Sequence, residues 1–372
     1  MKDSPYLITD PSEAAPLVAR LQHEGLAALD TEFVWTQTYY PRLGVVQLGA
    51  ADGSAWALDA TAGGAALAKL IADPETVKIL HDARQDLTLL AAATGALPRN
   101  VFDTQLAAGF AGFAPTISLK QLLHDLLSVD LAKTETRTDW CRRPLTSAQL
   151  EYALNDVRYA AALRQALIER ATERGAEAWL AEEMQIYDDA SLYAPPDPAA
   201  AGDRIRGGDR LSGREPMRLR LLATMREHLA QEWDLPRSWV VEDGSLLEAA
   251  RHGLGAAGAP PIRHRLSRSR LETLRQTMHD VIEAADAAAP PAAPARRERI
   301  DAVAKNRTDE ALAFLRRRAE SLRLAPELYG CRVQVAAFVA NLGDPSHPLA
   351  RGWRYATAGR DLAARFTADL LL

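Results

Sequence analysis

Asp30 and Glu32 sit one residue apart in Leu29-Asp30-Thr31-Glu32-Phe33-Val34-Trp35, a run that is otherwise apolar and β-prone. In a strand, residues i and i+2 share a face, so both carboxylates crowd together while Leu29, Thr31 and Phe33 take the opposite side. Like charges that close repel, and the strongest compensator is a divalent cation, for which carboxylate oxygens are the preferred hard ligands. A solvated acidic edge on an antiparallel strand is the alternative these residues leave open. A third acid, Asp86, lies in His81-Asp82-Ala83-Arg84-Gln85-Asp86-Leu87, where a strand is expected to meet a helix N-terminus. Asp82 suits the helix dipole there. Asp86 lies one turn further in, beside Leu87, Leu89 and Leu90, placed to project towards the sheet end that carries the first pair. Tyr152 and Asp156, at i,i+4, share a helix face. By itself such a pair is usually structural; with the others it makes four carboxylates and a tyrosine.

The elements that must position these groups follow from pattern. Tyr6 to Thr9 reads as a short strand. Asp10-Pro11-Ser12-Glu13 opens a helix, with Asp10 as N-cap, Pro11 at the first position and Glu13 as in a capping box. After Gly25 comes the strand around Asp30. Two β-like runs follow, 43–48 and 54–58, with Ala51-Asp52-Gly53 as the turn of a hairpin. A helical stretch at 65–71, a strand at 77–80, a helix at 83–93 and a strand at 100–102 give the βαβ rhythm of parallel pairing. The expected sheet is therefore mixed. From Ser118 the pattern is helical: Thr146-Ser147-Ala148-Gln149 is a second capping box that starts one long helix to about Arg174, and 176–188 is helical again.

Composition bounds the rest. A chain of 372 residues is expected to form two or three domains. The net charge of −5 is uneven: residues 1–202 hold 16 Lys+Arg against 27 Asp+Glu, and residues 203–372 hold 28 against 22. A basic back half fits a nucleic-acid partner, and scattered arginines on solvated helix faces fit it as well. Cys141 and Cys331, the only cysteines, exclude a disulfide framework and a cysteine zinc site. No signal peptide and no apolar run of membrane-spanning length is read, so no membrane partner and a cytoplasmic location are expected. Ala194-Pro195-Pro196-Asp197-Pro198 and the Pro290-Pro291 region read as linkers. The expected division is a domain at 1–193, a linker at 194–211, a helical domain at 212–288, a linker at 289–299 and a second helical domain at 300–372.

Asp30-x-Glu32, Asp86 and Tyr152-x-x-x-Asp156, in that order, resemble the three exonuclease motifs of the tyrosine-type DEDD 3′–5′ exonucleases. Within that family, Lys133-Thr134-Glu135-Thr136-Arg137-Thr138-Asp139-Trp140 running to Arg143-Pro144-Leu145, together with Asp30-Thr31-Glu32-Phe33, Tyr39-Tyr40-Pro41 and Val46-Gln47-Leu48, resembles the ribonuclease D branch. Arg226-Glu227 through Asp234-Leu235-Pro236 and Val241-Glu242-Asp243 resembles the helicase-and-ribonuclease-D C-terminal (HRDC) domain. Pro326-Glu327-Leu328 with Gly352-Trp353-Arg354 looks like its more divergent second copy. The resemblance implies an α/β ribonuclease H-like mixed-sheet exonuclease domain followed by two all-helical HRDC-type domains.

It also implies a chemistry, metal-dependent 3′–5′ exoribonuclease action in tRNA 3′ maturation. RNA with a single-stranded 3′ end, such as a tRNA precursor, would be the partner and nucleoside 5′-monophosphates the products. Two ions, Mg²⁺ or Mn²⁺, would activate water and stabilise the leaving alkoxide. By resemblance Asp30 would bridge both, Glu32 and Asp156 would complete the nucleophile side, and Asp86 would support the other through water. Tyr152, with an ordinary pKa of about 10, is assigned to orienting the attacking water rather than to taking its proton. Substrate contacts are expected from Phe33 and Trp35 through stacking and from Arg137, Arg142 and Arg143 through phosphates, with core packing (for Phe33 especially) and ion pairs to Glu135 and Asp139 as the competing uses. Arg263, Arg265, Arg268 and Arg270 form a basic group in the first helical domain. His81 is read as structural, and Gly253-Leu254-Gly255-Ala256-Ala257-Gly258 as a loop, since it follows a helix and precedes Pro260-Pro261. The competing functions are a non-catalytic RNA-binding adaptor on an exonuclease scaffold and a DNA 3′–5′ exonuclease.

Overall fold

A computed structural model describes residues 6–131, 138–254, 263–288 and 302–368. Contacts divide the chain into two compact units, one of residues 1–33, 43–193 and 299–372, the other of residues 34–42 and 194–298.

The first unit is built on a six-stranded sheet: β1 (Leu7–Ile8), β2 (Leu26–Val34), β3 (Arg42–Gly49), β4 (Ala55–Asp59), β5 (Val77–Leu80) and β6 (Val101–Asp103), in the order β1-β4-β3-β2-β5-β6. β3 and β4 pair antiparallel, whereas β1 runs parallel to β4 and β5 runs parallel to both β2 and β6. The expected mixed sheet is present, with β2, the carrier of Asp30 and Glu32, inside it. Helix α1 (Pro11–Glu24) starts at Asp10, whose carboxylate accepts the Ser12 N–H at 2.8 Å, and stops at Gly25, where φ is +69°. Ala14, Leu17, Val18 and Leu21 form its buried stripe, and it packs on α2 (Ala60–Ala72). Helix α3 (Arg84–Thr94) links β5 to β6, and α4 (Thr104–Phe110) follows β6 directly. After α5 (Leu119–Leu127), the second capping box forms as expected: Thr146 Oγ1 accepts the Gln149 N–H at 3.1 Å and Gln149 Oε1 accepts the Thr146 N–H at 2.9 Å. Such a cap is worth about 1 kcal/mol.

The long helix expected beyond that cap is two helices, α6 (Ser147–Arg158) and α7 (Ala160–Thr172), broken at Tyr159, whose ψ is 0°. No proline or glycine marks the break. The end of α6 lies close against the sheet at this point, where a Cβ on Gly49 would lie 2.8 Å from the Val157 carbonyl oxygen. α8 (Glu177–Met184) then completes the segment.

Contacts group the helices of residues 302–368 with this same unit. The reason is a buried joint. Trp353, 2 % exposed, donates its indole N–H to Glu183 at 2.8 Å, and the Arg354 guanidinium forks onto the same carboxylate at 2.5 and 2.8 Å. Trp179 stacks on Trp353 at 6.1 Å, and Phe110 meets it edge-on at 5.3 Å.

The second unit contains α9 (Glu215–Trp233), α10 (Arg237–Val240), α11 (Asp243–His252) and α12 (Arg268–Ala287) around a core that includes Leu222, Leu246, Leu274 and Met278. The stretch read as a linker at 194–211 is ordered into short 3₁₀ turns, and its Ala201 and Ile205 are part of that core. Small residues make this close approach possible: a Cβ on Gly202 would lie 3.0 Å from Cα of Arg220 on α9. The linker expected at 289–299 lies outside the described residues. No helix among the described residues is long and apolar enough to cross a membrane.

Candidate active site

The site grows from β2. Alternation along the strand buries Leu29 and turns Asp30 and Glu32 to the other face, where α6 brings Asp156 to meet them. One ligand oxygen from each of Asp30, Glu32 and Asp156 lies within 4.8 Å of the other two. Asp86, one turn into α3, joins through β2 as well, because the Thr31 hydroxyl donates to its carboxylate. Thr31 is thus more than the packing residue the alternation suggests. Tyr152 lies one turn before Asp156 on α6, with its ring 6.1 Å from that of the buried Trp140. Asp30, Tyr152 and Asp156 line a cavity of about 190 Å³ together with His81 and Thr104.

Electrostatics follow from this crowding. Burial first, then the charges of Asp86, Asp156 and Glu32, push the Asp30 carboxyl well above the usual carboxylate range. Burial, Asp156 and Asp86 raise Glu32 to about 8. Burial raises Asp156 to about 7 against the lowering effect of the Tyr152 phenol, and raises Asp86 to about 6 against that of Thr31. Tyr152 itself is pushed above its ordinary value by burial and by Asp156, Glu32 and Asp30. Among the described residues, no Lys, Arg or His forms an ion pair with any of the four acids. A set of carboxylates that repel one another, lack a cationic side chain and share one space has the donor chemistry of a site for hard divalent ions.

One acid that pattern reasoning passed over helps to hold this arrangement. Asp103, 3 % exposed at the end of β6, accepts the backbone N–H groups of Asp82 at 3.1 Å and Ala83 at 3.0 Å, together with the Tyr187 hydroxyl at 2.5 Å. It fixes the turn at Asp82, where φ is +57°, from which α3 and Asp86 start. Its position just before α4 is a legible N-cap signal; the partnership with Tyr187 is not. His81 is structural as expected, with its ring nitrogens 2.9 Å from Thr104 Oγ1 and 3.2 Å from the Ile117 carbonyl.

The expected substrate contacts separate. Phe33 is half-buried in the first unit, and Trp35 is 54 % exposed in the second. Arg142 is exposed. Arg143 is consumed by the fold. Its guanidinium binds Asp59 through Nε at 2.7 Å and a terminal nitrogen at 2.6 Å, and reaches the carbonyls of Trp140 at 2.8 Å, Arg142 at 3.1 Å and Gly44 at 2.8 Å. Four hydrogen bonds and the ion pair with Asp59 thus commit this guanidinium largely to the fold. Arg137 lies outside the described residues.

A carboxylate cluster gathered from one inner strand and two helices has the make-up of a metal-dependent nuclease site, and a family model described as 3′–5′ exonuclease matches residues 5–171. The curated relatives are more specific. Ribonuclease D of Granulibacter bethesdensis is 32 % identical over 99 % of this chain and 94 % of its own. That of Desulfotalea psychrophila is 44 % identical over 60 % of each chain. The crystal structure of Escherichia coli RNase D, described as an exoribonuclease involved in structured RNA processing, covers 98 % of both chains at 27 % identity with a TM-score of 0.85. The chain belongs to the ribonuclease D family and is a 3′–5′ exoribonuclease, with a mixed α/β exonuclease fold and a largely helical C-terminal part. Its substrate is RNA, and its family depends on divalent metal ions.

Proposed function

We propose that Asp30, Glu32, Asp86 and Asp156 are the ligands of two Mg²⁺ or Mn²⁺ ions and that the enzyme trims the 3′ ends of tRNA precursors and other structured RNAs, releasing nucleoside 5′-monophosphates. The observation that carries this reading is the approach of Asp30, Glu32 and Asp156 oxygens to within 4.8 Å without a cationic partner among the described residues. When bound, such ions supply an acidified water and charge stabilisation at the phosphate and the leaving oxygen. The chain's own residues do the rest. Glu32 and Asp156, raised to about 8 and 7, would have to give up their protons to hold ions, which would make binding depend on pH. Burial and the neighbouring acids push the Tyr152 phenol further above its ordinary value, which favours a role in orienting water or a phosphate oxygen by hydrogen bonding over one as a base. Thr31 and Asp103 hold Asp86 in reach.

Phe33 and Trp35 are proposed to contact bases and Arg142 a phosphate, and the helices at 212–288 and 302–368 are proposed to be HRDC-type modules that add RNA grip. The test is shortening of 3′-labelled and 5′-labelled RNA with Mg²⁺ or Mn²⁺. Metal-dependent loss from the 3′ end that Asp30→Asn abolishes supports the reading; equal activity in both proteins overturns it.

A further inference from the structure

The second unit contains a groove of about 570 Å³ that the carboxylate cluster does not explain. Its walls include Trp35, Tyr39, Arg204, Arg226, Arg237 and Ser238. The volume falls in the range of sites that take a small ligand of nucleotide size. Two of its three carboxylates pair with lining arginines, Glu227 with Arg237 at 2.6 Å and Asp243 with Arg226 at 2.5 Å, and Glu242 lies 3.9 Å from Arg263, which is outside the lining. Arg204 is the lining cation with no carboxylate partner among the described residues, and the buried Nε of Arg226 has no hydrogen-bond partner. The offer to a ligand is an aromatic face, a hydroxyl and the guanidinium of Arg204.

The wall that carries Trp35 is held in place. Asp234 accepts the backbone N–H groups of Tyr39 at 3.0 Å and Tyr40 at 3.1 Å. The Tyr39 hydroxyl donates to Glu227 and accepts from Gln231 at 3.1 Å and Arg237 at 3.2 Å, and the Arg237 guanidinium lies 4.9 Å over its ring. Trp35 is tied into the same loop by its indole N–H, which donates to the Tyr39 carbonyl at 2.9 Å. A large aromatic ring left 54 % exposed yet fixed at its polar edge is a platform made before any ligand arrives.

We propose that this groove is a nucleotide subsite for the single-stranded 3′ segment of the RNA, with a base stacked on Trp35, a phosphate on Arg204, and Tyr39 as the positioning residue of the platform. The inference rests on the exoribonuclease reading for its ligand. Binding of a 5′-fluorescein-labelled eight-nucleotide uridine RNA, followed by anisotropy in EDTA, reads the groove without turnover. Trp35→Ala is expected to weaken binding about tenfold, as loss of one base–aromatic stack does. Arg204→Ala is expected to cost less and to flatten the salt dependence. Trp35→Phe should recover most of the loss, and Tyr39→Phe should lie between wild type and Trp35→Ala. With Mg²⁺ or Mn²⁺ present, Trp35→Ala should raise KM for the eight-mer several-fold more than for a dinucleotide. Unchanged titrations for both Trp35→Ala and Arg204→Ala overturn the proposal, as does an equal KM rise at both lengths. A wild-type protein that binds RNA through these residues but never shortens it would instead overturn the exonuclease reading and leave the groove standing.

Discussion

Glu227 in the second unit and the Asp30, Glu32 and Asp156 cluster in the first both take carboxylates out of water, and they end on opposite sides of the ordinary carboxylate range. Glu227, with its side chain 2 % exposed, meets the fork of Arg237 and the Tyr39 hydroxyl; these outweigh the cost of burial and hold its pKa low. Among the described residues the cluster meets other acids, a phenol and a backbone N–H but no cationic ion-pair partner, and every member is raised. Burial is common to both, so the partner decides. A buried carboxylate that serves the fold is matched by its own donors, a cation for Glu227 and N–H and O–H groups for Asp103, whereas the proposed site acids crowd one another.

The comparison can be broken at its ends. The largest expected effect is on turnover. Asp30→Asn should reduce exonuclease rate at least about a thousandfold while leaving the metal-free protein folded, because it removes a repelling charge; calorimetric melting in EDTA should show no loss of stability. Tyr152→Phe should lower kcat by about a hundredfold with metal affinity retained in isothermal titration, and unchanged turnover would remove the phenol from the mechanism. In the second unit, Glu227→Ala should strand Arg237 and Tyr39. Breaking a fully buried pair costs about 3–5 kcal/mol, and the 40 % exposure of Arg237 reduces that to about 2–3 kcal/mol after solvent screening; urea unfolding measures it.

The smallest effect is the most diagnostic because its sign differs between the regions. The cluster's carboxyls bind protons more tightly folded than unfolded, so their contribution to stability is present below the unfolded values near 4 and is lost as pH rises through about 6, 7 and 8. Metal-free protein should therefore lose a few degrees of melting temperature between pH 5.5 and 8.5, and Mg²⁺ or Mn²⁺ should restore them with an effect that grows with pH. Glu227 works the other way: its contribution is present above the unfolded value of 4.5 and fades as pH falls below it. Removing Glu227 should flatten the acid limb and leave the alkaline one intact.

The proposed membership of Asp30, Glu32, Asp86, Tyr152 and Asp156 in the site came from the resemblance of three spaced motifs to a known family. The chain's own order of residues determined the mixed sheet and the helix starts at Asp10 and Thr146. Those features rest on short-range rules: alternation in a strand, i,i+4 spacing on a helix, and a capping side chain three residues from its target. Tertiary structure alone decided the rest. It spent Arg143 on Asp59 and three carbonyls, drew 302–368 into the first unit through Trp353, and turned Thr31 into the partner of Asp86. It also joined Tyr39 to Glu227 across 188 positions of sequence. Each of these outcomes is set by which surfaces meet, and no local pattern encodes the identity of a partner that lies tens or hundreds of residues away.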